Sequence, residues 1–366
     1  MSIVSYKCPR CGGGMKYDPD VGFKCEYCLS VSTQEELDAY YASQAAEETE
    51  GKPQEGAQQA AAQTDSAAAS SEGTTGEAAL YSCPNCGAEI IAEETTAATT
   101  CHYCHNPVVL SEKLGGKFNP DLVIPFSISK EEAAERFRQH CSGKFYLPKD
   151  FYSEDSIENL YGVYYPYWIV DSTVNGRYTA RGKVVRSTRR GDDRMVETTI
   201  YDIERSGIVE MENITNCALR NADSTILRYV LPFDPKGFVD FSMSYLSGFR
   251  AEKRDMEKSD LVQIVERQKQ DYTRTLLTRT VNGYTSIAGE KTEMDTTSET
   301  WRYALLPVWI LVYKYKDTTY TYGINGQTGK SYGGLPINKT KLSIVTVILG
   351  IVVALLCLYF GFGGCI

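Results

Sequence analysis

The amino-acid sequence predicts an α+β protein: two small N-terminal zinc ribbons, an α+β body with antiparallel sheet, and one C-terminal transmembrane helix. Three observations carry that expectation. Two clusters of four cysteines lie near one end, and Leu342–Phe362 is uncharged near the other. Between them, β-branched and aromatic runs are interleaved with two helix-like stretches.

The first cluster is Cys8-Pro-Arg-Cys11 with Cys25-Glu-Tyr-Cys28, in a unit spanning 1–41; the second is Cys83-Pro-Asn-Cys86 with Cys101-His-Tyr-Cys104, in a unit spanning 80–118. Two residues between paired cysteines turn both thiolates inward on one tight loop, and two such loops complete the tetrahedral S4 shell that zinc prefers. The intervening stretch, about a dozen residues, suits two short strands. Gly12 and Gly87 follow the second cysteine of each first pair, where the chain has to turn with positive φ. Eight cysteines also suit disulfides in a secreted domain. Met1–Cys8 holds no apolar signal core, however, which places the thiols in a reducing compartment. Thiolate at every position leaves none for water or substrate, so both zinc ions are expected to be structural. His102 and His105 flank Cys104 and are read as lying outside the shell. The ribbons are expected to be separate small cores, so that Cys101→Ser would loosen the second and leave the body folded.

The stretch 42–79 is built of Ala, Gln, Glu, Ser, Thr and Gly without an aromatic residue and reads as a flexible tether. An alternative is partial helix over Ala39–Glu50. Residues 1–119 carry 7 Lys and Arg against 17 Asp and Glu, in a chain of net charge −9. A ribbon that grips nucleic acid needs a basic face, so this balance points to protein partners.

The body covers 119–338. Ser129-Lys-Glu-Glu132 is a capping box, and Ala133, Ala134, Phe137 and Cys141 follow at helical spacing, predicting a helix over Lys130–Cys141. A second helix is expected over Glu252–Leu277, punctuated by Met256, Val262, Ile264 and Val265. Tyr161–Thr173 reads as a strand, with Asn175-Gly176 as a hairpin turn into Arg177–Ser187, and Met195–Met211 continues in the same style. Trp301–Tyr315 and Thr318–Ile324 form another hairpin, closed at Lys316-Asp317. Tyr164-Tyr-Pro-Tyr-Trp168 and Leu306-Pro-Val-Trp309 echo one another, as an internal duplication would. The Tyr161–Trp168 cluster reads as core and edge packing before it reads as a binding face.

Several motifs are set aside. Gly323–Ser331 resembles a phosphate-binding loop but has one residue too many before Gly329-Lys330, and the glycines and proline that follow cannot start the required helix. Asn325-Gly326 fits a hairpin turn. His140 and Cys141 are consecutive on a helix and point about 100° apart, poor geometry for a base and nucleophile. Cys217 reads as buried, and no carboxylate spacing singles out an acid/base pair.

At 1.5 Å per residue, about twenty uncharged residues span a hydrocarbon core of about 30 Å. Lys339 and Lys341 precede Leu342–Phe362, and the positive-inside rule keeps the N-terminal bulk cytoplasmic in a single-pass membrane protein. Cys365 does not fit a prenylation box.

Taken with the CPRC and CPNC ribbons, Phe145-Tyr-Leu-Pro-Lys-Asp-Phe151, Gly162-Val-Tyr-Tyr-Pro-Tyr-Trp168, Leu306-Pro-Val-Trp309 and Asn325-Gly-Gln-Thr-Gly329, the chain resembles bacterial TFIIB-type zinc-ribbon membrane proteins associated with PspA-like membrane-stress systems. Some of these are labelled PriA-like helicases. The resemblance implies a non-enzymatic adaptor that recruits or docks a PspA-like scaffold at the cytoplasmic membrane face during envelope stress. No helicase core fits this length. A membrane-tethered nucleic-acid-binding protein and a membrane enzyme with its site in the body are the alternatives; no small-molecule substrate is identified.

Overall fold

The computed structural model describes residues 3–50, 79–148, 159–191, 193–315 and 318–362. Most of the tether, the turn at Lys316-Asp317, the end of the Phe145–Phe151 stretch and Cys365 lie outside the described residues.

Near the N-terminus, β1 (Ile3–Val4) precedes the first cysteine pair, and β2 (Met15–Asp18), β3 (Gly22–Cys25) and β4 (Val31–Ser32) form a small antiparallel sheet around the second. Helix α1 (Gln34–Glu50) follows, so the described backbone is helical into the region whose composition suggests a tether. The second cluster lies among β5 (Ala79–Ser82), β6 (Glu89–Ala92), β7 (Thr96–Thr100) and β8 (Pro107–Leu110). The body comprises β9 (Leu122–Val123), α2 (Lys130–Cys141), β10 (Leu160–Arg190), β11 (Asp193–Cys217), α3 (Ser224–Tyr229), β12 (Val239–Asp240), β13 (Arg250–Glu252), α4 (Lys258–Thr278), β14 (Ser286–Tyr315), β15 (Thr318–Asn325) and β16 (Ser331–Gly333). Helix α5 (Lys339–Phe362) comes last.

Each ribbon has a small core of its own, Cys8, Met15, Phe23, Cys25 and Leu37 in the first and Cys83, Ile90, Ala92, Cys101, Val108 and Leu110 in the second, but neither stands apart from the body. One sheet runs β1-β8-β7-β13-β10-β14-β15-β16, with β11 beside β10 and with β9 joining β12 to β14. It is antiparallel apart from two short parallel contacts, β13 with β10 and β9 with β14. Strands β7 and β8 of the second ribbon are thus continuous with the body through Ala98 opposite Ala251, and Ala97, Ala98 and Val109 belong to the main core. The first ribbon docks through Tyr17, whose N–H donates to the Ser247 carbonyl at 2.9 Å and whose ring meets Tyr245 edge-on at 5.5 Å. Gln34 accepts from the Ser244 hydroxyl at 2.7 Å. The expectation of free-standing ribbons fails because each presents apolar side chains that its own few strands cannot cover, and the body covers them.

The core is aromatic. Phe126, Tyr164, Phe249 and Trp309 interlock, with Phe126 stacked on Phe249 at 4.2 Å. Tyr164 and Tyr167 are fully buried, so the Tyr-rich run is core. Burying each such ring contributes roughly 1.5–3 kcal/mol. Helix α2 begins at Ser129, whose side chain accepts from the Glu132 N–H, and buries Ala133, Ala134, Phe137 and Cys141 as its spacing predicts. The two echoed segments lie side by side, Tyr164 opposite Pro307 on adjacent antiparallel strands. Their tryptophans donate to backbone carbonyls of flanking segments, Trp168 to Met256 and Trp309 to Ile128.

Beyond this core, β10, β11 and β14 continue as an arm. β10 alone has 31 residues, a contour of roughly 100 Å. Asn175-Gly176, expected to turn the chain, lies in mid-strand. A Cβ at Gly176 would meet Thr273 at 2.5 Å, so the missing side chain serves the close approach of α4; the chain reverses instead around Gly191, where φ is +69°. Helix α4 covers one face of the arm through Leu261, Val265, Lys269 and Thr273, four residues apart. It starts later than expected because Arg250–Glu252 pairs as β13 and because Glu257 forms a capping box with Asp260. Val262 and Ile264, expected on its apolar face, are exposed.

At the other end, Asn338 caps α5 by accepting from the Lys341 N–H at 3.1 Å, and its own N–H donates to the Tyr146 carbonyl at 2.8 Å. Lys339–Cys357 has a mean hydropathy of 2.4, and none of it is buried in the protein. The helix is long and apolar enough to cross a membrane.

Candidate metal centres and the cleft between them

Each of the four CxxC loops is closed in the same way. The residue after the second cysteine donates to the carbonyl of the first: Gly12 to Cys8, Leu29 to Cys25, Gly87 to Cys83 and His105 to Cys101, at 2.9–3.0 Å. All four adopt left-handed φ, between +54° and +74°. Glycine takes this conformation freely, which made two of the positions legible; Leu29 and His105 carry backbone strain to keep it. The loop then brings N–H groups toward sulfur, as where the Arg10 N–H donates to Cys8 Sγ at 3.4 Å.

The geometry fits a tetrahedral ion. A metal–sulfur bond of about 2.3 Å places tetrahedral sulfurs about 3.8 Å apart. Cys8 and Cys28 are separated by 3.6 Å and Cys11 and Cys25 by 3.5 Å. Cys83–Cys104 and Cys86–Cys101 are each 3.7 Å. These spacings are far outside the S–S bond length of about 2.0 Å. Each cluster therefore offers four thiol ligands to one metal ion, and neither His102 nor His105 joins a cluster. Cys8, Cys25, Cys83 and Cys101 are buried, while Cys11, Cys28 and Cys86 reach solvent and Cys104 is half-buried.

Hydrogen bonds favour thiolate at Cys8 and Cys28 in the first set and at Cys104 in the second. Cys28 is held down at about 6 by the Ser30 hydroxyl and backbone N–H. At Cys104 burial pushes up, yet donors from Asn85 and Asn106 outweigh it and bring the thiol to about 6. Cys11 and Cys86 are pushed up to about 12: backbone N–H groups lower them, but adjacent thiols dominate. Adjacent thiolates repel, and a cation at the centre removes that repulsion.

A cleft of about 720 Å³ opens where both ribbons face the body. Lys16 and Lys24 line it from the first ribbon, His102 and His105 from the second, and Arg250, Phe249 and Trp309 from the body. Lys16 pairs with Glu26 at 2.6 Å, and the Arg250 guanidinium lies over the Tyr161 ring at 4.2 Å. The rim is mixed in charge, with Asp18, Glu26 and Glu131 among the cations, and with its aromatic floor it suits a polar peptide segment carrying aromatic side chains. Tyr27 and Tyr103, at equivalent positions between the cysteines of each second pair, are 70% and 75% exposed. Exposed tyrosines of this kind are enriched at protein interfaces. The cleft escaped sequence reasoning because its walls come from three separated segments.

The remaining reactive residues are poorly placed for chemistry. Cys141 is buried and its thiol is raised to about 11 by that burial. His140 accepts from Lys144 Nζ at 2.7 Å and is lowered by burial and by that ammonium. Cys217 is half-buried rather than fully buried, and burial raises it to about 11. The Gly323–Ser331 segment turns β15 into β16, with the Gly329 N–H donating to the Asn325 carbonyl at 2.9 Å.

Fold and site together define a class: an α+β protein with two four-cysteine modules, each able to hold a metal ion, built onto the body and a helix of membrane-spanning length. The chain is 31% identical over 341 residues to the uncharacterized protein YdjG of Bacillus subtilis (strain 168), a match covering 93% of this chain and 92% of that protein. It belongs to the YdjG family. No protein-family model and no solved structure matches the chain.

Proposed function

We propose that this protein is a non-enzymatic zinc-binding adaptor, held by α5 at the cytoplasmic face of the cell membrane, that docks a PspA-like scaffold there during envelope stress. The observation that carries the reading is the pair of closed four-sulfur shells, both docked on the body. A metal ion with four thiolates has no open position for a reaction, so it shapes a surface. That surface is the cleft and the two exposed tyrosines, and the acidic balance of residues 1–119, 7 Lys and Arg against 17 Asp and Glu, disfavours nucleic acid. The sulfur spacing and soft donor set suit zinc. Lys339 and Lys341 before the apolar span support a cytoplasmic body, and the resemblance to PspA-associated ribbon proteins supports the partner.

The full chain purified in mild detergent is expected to contain two zinc ions and, from membrane-stressed cells, to bring down the PspA-like protein. Recovery of intact protein without that scaffold would sink the adaptor reading.

A further inference from the structure

The far end of the arm is built differently from the rest. Nearer the body, cations on the face away from α4 are matched across strands: Arg177 to Glu204 at 2.9 Å and Arg181 to Asp202 at 3.7 Å. β14 stops pairing at Ser286, opposite Lys183. Thr285 still donates to the Lys183 carbonyl and accepts from the Val185 N–H, and from Arg186 outward β10 and β11 continue as a lone two-stranded hairpin, a form that is marginal in water. Directly opposed residues share a face. One face here carries Lys183, Val185, Ser187 and Arg189 against Ile200, Thr198, Val196 and Arg194.

Among the described residues from Lys183 to Ile200, that face has no carboxylate, because Glu197 and Asp193 fall on the other side. Among the described residues, Lys183, Arg189 and Arg194 make no ion pair. Arg194 donates only to the Ser187 hydroxyl, at 2.8 Å. Val196 and Ile200 are 57% and 67% exposed. Arg189 stands opposite Arg194, a like-charge pair that destabilises the free hairpin.

We propose that this face is a docking surface for a protein partner presenting carboxylates interspersed with apolar side chains; building on the adaptor reading, that partner is the PspA-like scaffold. A carboxylate between Arg189 and Arg194 relieves their repulsion through charge-assisted hydrogen bonds, while Val185, Val196 and Ile200 bury apolar area. A bilayer fits less well. Lys183–Ile200 contains no Trp, Tyr or Phe, the residues that seat at a membrane interface. The face also lies roughly 75–100 Å of strand from Leu160, at the body end of β10. The same lack of aromatic rings disfavours single-stranded nucleic acid, which stacks on them.

The test uses the full chain in phosphatidylcholine nanodiscs, titrated with the purified scaffold. Arg189→Glu with Arg194→Glu keeps a like-charge pair, so its folding cost matches that of the wild type, and its affinity is expected to fall by about tenfold or more. Arg189→Thr removes the repulsion; it is expected to raise the melting temperature while weakening binding, opposite signs that a purely structural role does not produce. Lys236→Glu, an exposed charge elsewhere, leaves binding unchanged. Equal affinity of the double variant and wild type overturns the site and leaves the adaptor reading standing. No binding by wild type overturns both. If phosphatidylglycerol vesicles or DNA bind wild type and lose the double variant, while the scaffold binds both alike, the protein-partner assignment is wrong. Arg189→Thr lowering stability and binding together also overturns it.

Discussion

Lys269 shows how much one residue can organise. Its side chain is wholly buried beneath the arm helix, where the ammonium meets Glu266 at 2.5 Å, Glu299 at 2.6 Å and the Thr296 hydroxyl at 3.1 Å. Burial pulls the ammonium down, but the two carboxylates outweigh it and hold it above its ordinary range. Burial pushes Glu299 up, and hydrogen bonds from Lys269 and Trp301 outweigh that and hold it below the usual carboxylate range. The depressed carboxylate contributes stability that is present above its unfolded value of about 4.3 and lost as pH falls through the lower folded value. The raised lysine contributes below about 10.4 and loses its share as pH climbs through its folded value. Lys269→Met is therefore expected to cost about 2 kcal/mol near neutrality, the partly exposed glutamates softening the loss. The urea midpoint of the detergent-solubilised chain should also fall less steeply in acid than that of wild type. A wild-type acid limb retained in the variant refutes the assignment. At the metal sites, Cys101→Ser is expected to lose one metal ion per chain and to lower the main melting transition, because β7 is joined to the core. An unchanged transition would restore the picture of an independent ribbon.

At the scale of elements, the arm depends on α4 lying close against bare backbone. Gly176→Val places atoms where Thr273 and Leu277 already sit, and overpacking of this kind costs about 1–3 kcal/mol. Hydrogen exchange in β10 and β11 beyond Val174 should then accelerate, while protection at Tyr164 and Trp309 holds; uniform loss of protection contradicts an arm with its own stability. Val265→Ala should act in the same direction by leaving a cavity against Val170, Val174 and Val209. Asn175-Gly176 was misread for a physical reason. The dipeptide that favours a turn also permits close helix approach, and only the neighbouring helix distinguishes the two uses.

For the whole molecule, the second cysteine cluster is joined to the body by strands of the main sheet, and the first, with a three-stranded sheet of its own, reaches it through β1 beside β8. Removing both metals with a strong chelator is expected to lower the cooperative melting transition of the detergent-solubilised chain; a transition that does not move would show that the ribbons hang free of the body. Ending the chain before Leu342 should move it from the membrane to the soluble fraction, and continued sedimentation with membranes would contradict α5 as the anchor. What was legible in the amino-acid sequence were features set by local spacing: four CxxC loops, the Ser129 cap with its apolar stripe, and the uncharged stretch from Leu342. Each is governed by turns, helical periodicity or hydrophobic length within a few residues of itself, so neighbours in the chain suffice to determine it. Only the tertiary structure decided that Ala98 meets Ala251, that Tyr17 meets Tyr245, and that Lys183, Arg189 and Arg194 share one face of the arm. These depend on strand register and on contacts between segments far apart in the chain, which local pattern does not encode.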